Sequence, residues 1–366
     1  MILHSTFTKD WVMSVNNDLA LGRHVTQLKN LEKAIVAFHL LELLVISDIE
    51  FIFKGGTSLI LLLQSVNRLS VDIDIAVEKP VNNLEGIFSS ICSQSVLFTH
   101  YDTQERETDN LTDTKHYKFY YQSFVNVNED SYILLDLYES ENKYANVCDV
   151  ELKSALLNTS GQNVYVRIPD VNSILGDKLT AFAPDTIGIS LTAEPGHRPK
   201  RIEALKQLYD IGILFDYAES VSSINDTYRA IAQHEINRRK LDIAITDVLY
   251  DTKHYAYIIG LGGNIEISIY NAIIRGYKDF SKFVADLSFD ENQAVLAAAK
   301  VAYLVEALLF DTMIFEKYHN DVDMLSWSIT DKEYAILNNY KYSNPEAFFY
   351  WYKAFEMQNH GASTIT

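Results

Sequence analysis

The sequence predicts an α+β domain over residues 1–168 followed by an all-helical domain over residues 169–366. Two observations carry this. Before about residue 168, segments with two-residue alternation are interleaved with helical stripes, and beyond it almost every apolar residue falls at helical spacing. The chain has 366 residues, 48% of them hydrophobic, which is enough apolar material for two cores.

The elements follow in order. From Val25 to Ile46 a helix is marked by the stripe Leu28, Leu31, Ile35, Phe38, Leu41 and Val45. A short strand, EFIFK, runs into Gly55-Gly56, and Thr57 opens the helix TSLILLLQSV. The strand VDIDIAV comes next, then a helix near 83–95. KHYKFYYQSF and YILLDLY alternate as strands, and VYVRIP adds one more. Helices are expected at 171–183, 200–217, 219–235, 240–251, about 265–285, 290–313 and 343–357. The first of them, to about 217, are expected to complete the active site begun in the α+β half.

Composition narrows the function. A formal net charge of -18 disfavours indiscriminate binding to nucleic acid or to anionic membranes, so a nucleic-acid partner requires a local basic groove. Two cysteines, Cys92 and Cys148, with no CxxC spacing, exclude a disulfide framework and a cysteine-ligated zinc site. The N-terminus has no basic region leading into an apolar run, and the longest apolar stretches are interrupted by charge or too short to span a bilayer. The expectation is a cytoplasmic protein with no membrane partner.

The strand VDIDIAV poses the chemical question. Val71, Ile73, Ile75 and Val77 share one face, which puts Asp72 and Asp74 together on the other. Two carboxylates so placed can converge on a divalent cation, although a half-exposed strand with its polar residues outward explains a bare DxD equally. Gly55-Gly56-Thr57 at a strand-to-helix junction brings backbone N–H groups to a helix N-terminus, where a phosphate can sit. The alternative there is a tight turn. Asp136 in YILLDLY has Leu134 and Tyr138 as same-face neighbours, so its carboxylate needs a partner. That partner is either an Arg or Lys, or a Mg²⁺ ion shared with Asp72 and Asp74. Cradle, carboxylate pair and third carboxylate together describe a two-metal phosphoryl or nucleotidyl transfer site.

KGGTSL followed by RLSVDIDIAV resembles the polymerase-β-like nucleotidyltransferase superfamily, in the branch typified by the AbiEii/AbiGii abortive-infection toxins. Arg68, Ser70, Asp72 and Asp74 match that branch's Arg-x-Ser-x-Asp-[IL]-Asp block. GDKLTAFA with Lys178 and KQLYDIGILF with Asp210 are similar to two later blocks, although Gln207 stands where an Asp would be common. The resemblance spans roughly residues 30–217. It implies a polymerase-β-like core, with Asp72, Asp74 and Asp136 as ligands of two Mg²⁺ ions. Gly55, Gly56, Thr57 and Ser58 would lie at the nucleotide phosphates, and Lys178 at the triphosphate. Asp210 would orient a lysine or touch the nucleotide, or else form a helix-to-helix ion pair. Arg68 would steady the aspartate strand.

The implied reaction moves an NMP from an NTP to an acceptor hydroxyl. The resemblance implies a type IV toxin–antitoxin or phage-defence toxin with an RNA acceptor, plausibly the tRNA 3′ end, and a cognate antitoxin as partner. The same core also modifies proteins and small molecules, and a non-catalytic nucleotide-binding module is a further alternative. Arg198, Lys200, Arg201 and Lys206 form the densest basic cluster, and Arg238, Arg239 and Lys240 a second. Each is either a contact for an acceptor backbone or a solvated helix end.

Overall fold

The protein is described by a computed structural model. It describes residues 1–19, 25–104, 114–126, 129–191, 200–280, 284, 289–312 and 315–364. The chain forms two compact units. One comprises Met1–Asn142, Val147–Asp170 and Lys282–Ser288, and the other Lys143–Asn146, Val171–Ser281 and Phe289–Thr366. The division is therefore interleaved, where a single boundary near residue 168 is expected.

The first unit is α+β. Its elements are α1 (Lys9–Asp18), α2 (Val25–Ile46), β1 (Ile52–Lys54), α3 (Gly55–Leu62), β2 (Ile73–Val77) and α4 (Leu84–Gln94). There follow β3 (Phe98–Thr103), β4 (Thr114–Gln122), β5 (Asp130–Glu139), β6 (Val147–Glu151) and β7 (Tyr165–Pro169). The main sheet is mixed, in the order β1-β2-β5-β4-β3. Only β2 and β5 run parallel, and β6 and β7 form a separate antiparallel ribbon.

One face of the sheet is core. Phe53, Ile73, Ile75, Phe119, Leu135 and Leu137 are at most 1% exposed and pack with Ile35, Phe38 and Leu41 of α2 and Phe88 of α4. Alternation then forces the intervening residues onto the opposite face. Glu32 of α2 is fully buried, and its carboxylate accepts bonds from the Ser123 hydroxyl and the backbone N–H groups of Phe124 and Val125. A buried carboxylate with three donors pins the turn after β4 to α2.

Four elements depart from the sequence reading. The helix begins at Gly55, two residues before Thr57, because Lys54 is already extended at the N-cap. β2 begins at Ile73, so Val71 and Asp72 precede the strand. The strand β3 is exposed along most of its length, and β6 is only half-buried, so neither carries an alternating apolar signal.

The second unit is helical. It contains α5 (Val171–Ala181), α6 (Arg201–Tyr217), α7 (Val221–Arg239), α8 (Ile245–Gly260), α9 (Ile267–Phe280), α10 (Glu291–Leu309), α11 (Tyr340–Ser343) and α12 (Pro345–Thr364). Lys240 adopts a left-handed φ of 55° that ends α7, and the Ala244 N–H donates to Asp247 to start α8. The expected 240–251 helix is thereby displaced to Ile245–Gly260.

At the centre α10 is buried along nearly its whole length, against α6, α8 and α12. Among the described residues it is the helix long and apolar enough to cross a membrane, and 78% of that window is buried inside the protein. Its two buried charges are matched: Lys300 lies 2.7 Å from Asp216, and Glu306 lies 2.7 Å from Lys253. Bonds to this unit hold Lys143–Asn146, among them Asn146 Nδ2 to Ser223 Oγ at 3.4 Å. Tyr144 donates to Asp177 (2.8 Å), the Ala145 N–H to Thr227 Oγ1 (2.9 Å) and the Asn146 N–H to Ser173 Oγ (3.0 Å).

Asp251 on α8 sets a pH dependence. Burial, first, and the neighbouring Asp185 push its carboxyl up to about 6, against bonds donated by Thr186 and the Asp185 N–H. A raised carboxyl favours the folded state while it is protonated. That contribution is complete below 3.8 and is lost as pH rises through about 6. Asp251→Asn cannot ionise, so it is expected to melt above the parent at neutral pH, with the gap closing as pH falls toward 4. Thermal melts across that range measure it.

Candidate active site

Strand pairing builds the site. In the parallel β2–β5 pair Asp74 is the register partner of Asp136. Antiparallel β1 places Lys54 opposite Asp74, and antiparallel β4 places His116 opposite Asp136. Lys54, Asp74, Asp136 and His116 therefore stand in one row across four strands, on the face opposite the core.

Asp136 is 9% exposed, and one partner of its carboxylate is a histidine on the neighbouring strand. His116, 6% exposed, brings Nδ1 within 2.6 Å of Asp136 Oδ1. An ionised carboxylate only accepts, so the ring donates its Nδ1–H. Lys54 Nζ lies 4.0 Å from the centroid of the Tyr138 ring, which belongs to the same face two residues along β5.

The glycine turn is fitted closely around these groups. Gly55 has φ +78°, and a Cβ there would come within 2.8 Å of Asp74 Cγ and closer still to Oδ2. A Cβ on Gly56 would lie 2.5 Å from Arg68 Nη2 and 2.9 Å from Ser70 Oγ. Thr57 and Ser58 are wholly buried; their hydroxyls donate to the carbonyls of Asp72 (2.6 Å) and Gly55 (2.8 Å). The Thr57 hydroxyl ties the turn to the aspartate segment, and the Ser58 hydroxyl braces the turn internally. Arg68, 6% exposed, stands beside the turn, and its backbone bridges to Val284.

Asp72 is exposed and lies before β2, so it does not share the strand face with Asp74 as a strand residue. Its charge reaches Lys33, whose ammonium is lowered first by burial and then by Lys29, with Asp72 opposing. Among the described residues no group of three His, Cys, Asp or Glu side chains is placed to hold a metal. The Asp74–Asp136 pair nevertheless offers hard oxygens on adjacent strands. Magnesium held by one or two carboxylates takes its remaining ligands from water and phosphate, so the pair fits that ion.

The second unit contains the later sequence blocks. Lys178 of α5 and Asp210 of α6 form an ion pair of 3.0 Å, with side chains 8% and 2% exposed. Lys178 also donates to Gln207 Oε1 at 3.0 Å. The helix-to-helix pair is thus what Asp210 makes, and Gln207, one turn earlier on α6, supplies a neutral acceptor to the same ammonium.

Of the first basic cluster, His197, Arg198 and Pro199 lie outside the described residues. Lys200 is exposed, and Arg201 and Lys206 are half-buried on α6. In the second cluster Arg238 and Arg239 share one carboxylate, Glu235, which offsets one of the three positive charges.

Lys54 and His116 are absent from the sequence reading, and Gln207 enters it only as a departure from the common Asp. Lys54 directly precedes the glycines, which is a usable signal. His116 falls on the same face as Lys118 and Tyr120, but its pairing with Asp136 depends on which strand lies beside which.

A family match identifies the chain, with its mixed sheet, paired carboxylates and glycine turn, as a nucleotidyltransferase. It belongs to the family described as nucleotidyl transferase AbiEii toxin, Type IV TA system, which matches residues 40–298 and so includes every sequence block above. Among solved structures, the chain is similar to an antigenic nucleotidyltransferase-like protein from Paracoccidioides brasiliensis. The two are 14% identical, with a TM-score of 0.36, over 61% of this chain and 92% of that one. A search of curated proteins returned no match.

Two predictions follow from these contacts. Gly55→Ala meets both a left-handed backbone, costing about 1–2 kcal/mol, and the Asp74 carboxylate, so it should lower the melting temperature and abolish nucleotide transfer. Gly56→Ala meets only the flexible end of Arg68 and Ser70, and should be milder in both assays. Lys178→Met removes one side of the buried ion pair with Asp210 and should cost about 3–5 kcal/mol in urea unfolding, part of it recovered by adding Asp210→Leu.

Proposed function

We propose that the protein transfers a nucleoside monophosphate from an NTP to a hydroxyl of RNA, with the 3′ end of tRNA as the first candidate acceptor. The observation that carries this reading is the Asp74–Asp136 register pair lying against the Gly55 turn. In the reaction the acceptor oxygen bonds to the α-phosphorus, the bond from that phosphorus to the β-bridging oxygen breaks, and pyrophosphate leaves. The acceptor O–H bond breaks, its electron pair stays on the oxygen, and the proton passes to solvent water. Mg²⁺, when bound, supplies positive charge to the triphosphate and favours the ionised acceptor hydroxyl.

Asp74 and Asp136 present the oxygens that would hold Mg²⁺, and Asp72 lies two residues before Asp74 as the further carboxylate. The α3 N-terminus offers backbone N–H groups to the phosphates. Lys178 as a fixed charge for the triphosphate belongs to the same proposal; what supports it is the family to which the chain belongs. An RNA acceptor is favoured by the toxin–antitoxin family and by Lys200, Arg201 and Lys206 on one segment. The same family makes a cognate antitoxin the expected partner, in the cytoplasm of a cell that uses the toxin in phage defence.

Incubation of the purified protein with Mg²⁺, each α-³²P NTP in turn and total bacterial RNA tests the reading. Label on tRNA-sized species, reduced about 100-fold or more by Asp74→Ala or Asp136→Ala, is the expected result. Label on a protein band, with none on RNA, would reject the RNA acceptor. Bound NTP with no label on any species would reject transfer itself.

A further inference from the structure

We infer that His116 is a positioning residue for the transfer site. It holds the Asp136 carboxylate in a single orientation beside Asp74. The inference rests on the proposed role of the Asp74–Asp136 pair as an ion site and goes one layer beyond it.

The geometry is specific. The antiparallel β4–β5 register makes His116 the direct partner of Asp136, and the parallel β2–β5 register makes Asp74 its partner on the other side. Asp136 is thus flanked on one side by a donor and on the other by a second carboxylate. The side chains of His116 and Asp136 are 7% and 13% exposed, and the Nδ1 to Oδ1 distance is 2.6 Å. A bond from Nδ1–H occupies lone-pair space on Oδ1 and so sets the direction in which Oδ2 is presented. It also offsets part of the cost of burying a carboxylate on a face shared with Leu134 and Tyr138.

Two carboxylates side by side repel each other, and an unheld Asp136 would rotate or shift away from Asp74. A hydrogen-bonded ring that cannot itself move far, packed at 6% exposure, prevents that. Partners that orient a ligating carboxylate in this way typically change metal affinity 10–100-fold when removed.

The choice of substitutions separates the donor from the bulk of the ring. Asn carries its amide nitrogen where His carries Nδ1, Gln carries it one bond farther, and Phe keeps the ring without any donor. Mn²⁺ affinity, read by electron paramagnetic resonance on the full chain, is independent of turnover, and a thermal melt of each variant checks folding.

The expected result for His116→Phe and His116→Gln is a loss of Mn²⁺ affinity of about 10–100-fold, with a matching fall in kcat and little change in KM for NTP. His116→Asn should stay within about 3-fold of the parent. Should Phe fail to fold, the Asn–Gln contrast carries the test alone. Equal losses in Asn and Gln would overturn the inference and leave His116 with a packing role. Full Mn²⁺ affinity in His116→Gln, with binding lost in Asp74→Asn, would overturn it while sparing the ion site. Mn²⁺ binding indifferent to Asp74→Asn would overturn the ion site, and the role of His116 with it.

Discussion

Parallel pairing between β2 and β5 is the constraint on which the site depends. Side chains alternate with a period of two, so slipping this pair by one residue would send Asp74 or Asp136 into the core and bring Ile75 or Leu137 out. Ile73, Ile75, Val77, Ile133, Leu135 and Leu137 are all at most 1% exposed. Each such residue contributes about 1.5–3 kcal/mol by its burial. The hydrophobic face therefore holds the polar face in register, and the carboxylates need supply none of the folding energy that aligns them. Their own burial is unfavourable, and on Asp136 the His116 bond offsets it.

The same economy governs both units. Charges that sit in the interior come with a partner on a neighbouring element: Glu32 with the turn after β4, Lys178 with Asp210 and Gln207, and Lys300 with Asp216. Such pairs add little net stability over apolar replacements, but each is costly to break on one side only. They make the packing of α2 on the sheet and of α5 on α6 intolerant of alternative registers.

The sequence was informative where local pattern and local structure coincide. Alternation in VDIDIAV and YILLDLY places Asp74 and Asp136 on polar faces, and helical spacing after residue 170 marks the second unit. It was uninformative where tertiary neighbours decide. His116 reaches Asp136 because β4 lies beside β5, and nothing in KHYKFYYQSF states that adjacency. Asp72 falls outside the strand because β2 starts only at Ile73, where pairing with β5 begins. The basic cluster at Arg238-Arg239 loses part of its prominence once Glu235 is seen one turn back on the same helix. An i,i+3 and i,i+4 reading of the sequence would have anticipated that last point.

The tetrapeptide Lys143–Asn146 has a consequence for biosynthesis. It leaves the ribosome before Ser173, Asp177 and Thr227 have been translated, yet those residues supply its bonding partners in the second unit. β6, the very next segment, belongs to the first unit. The nascent chain thus emits a short stretch whose destination does not yet exist, and continues building the earlier unit around it. A polypeptide released at Asp170 would contain every strand of the sheet and still lose those bonds. Neither unit can be obtained whole as one uninterrupted stretch of translation.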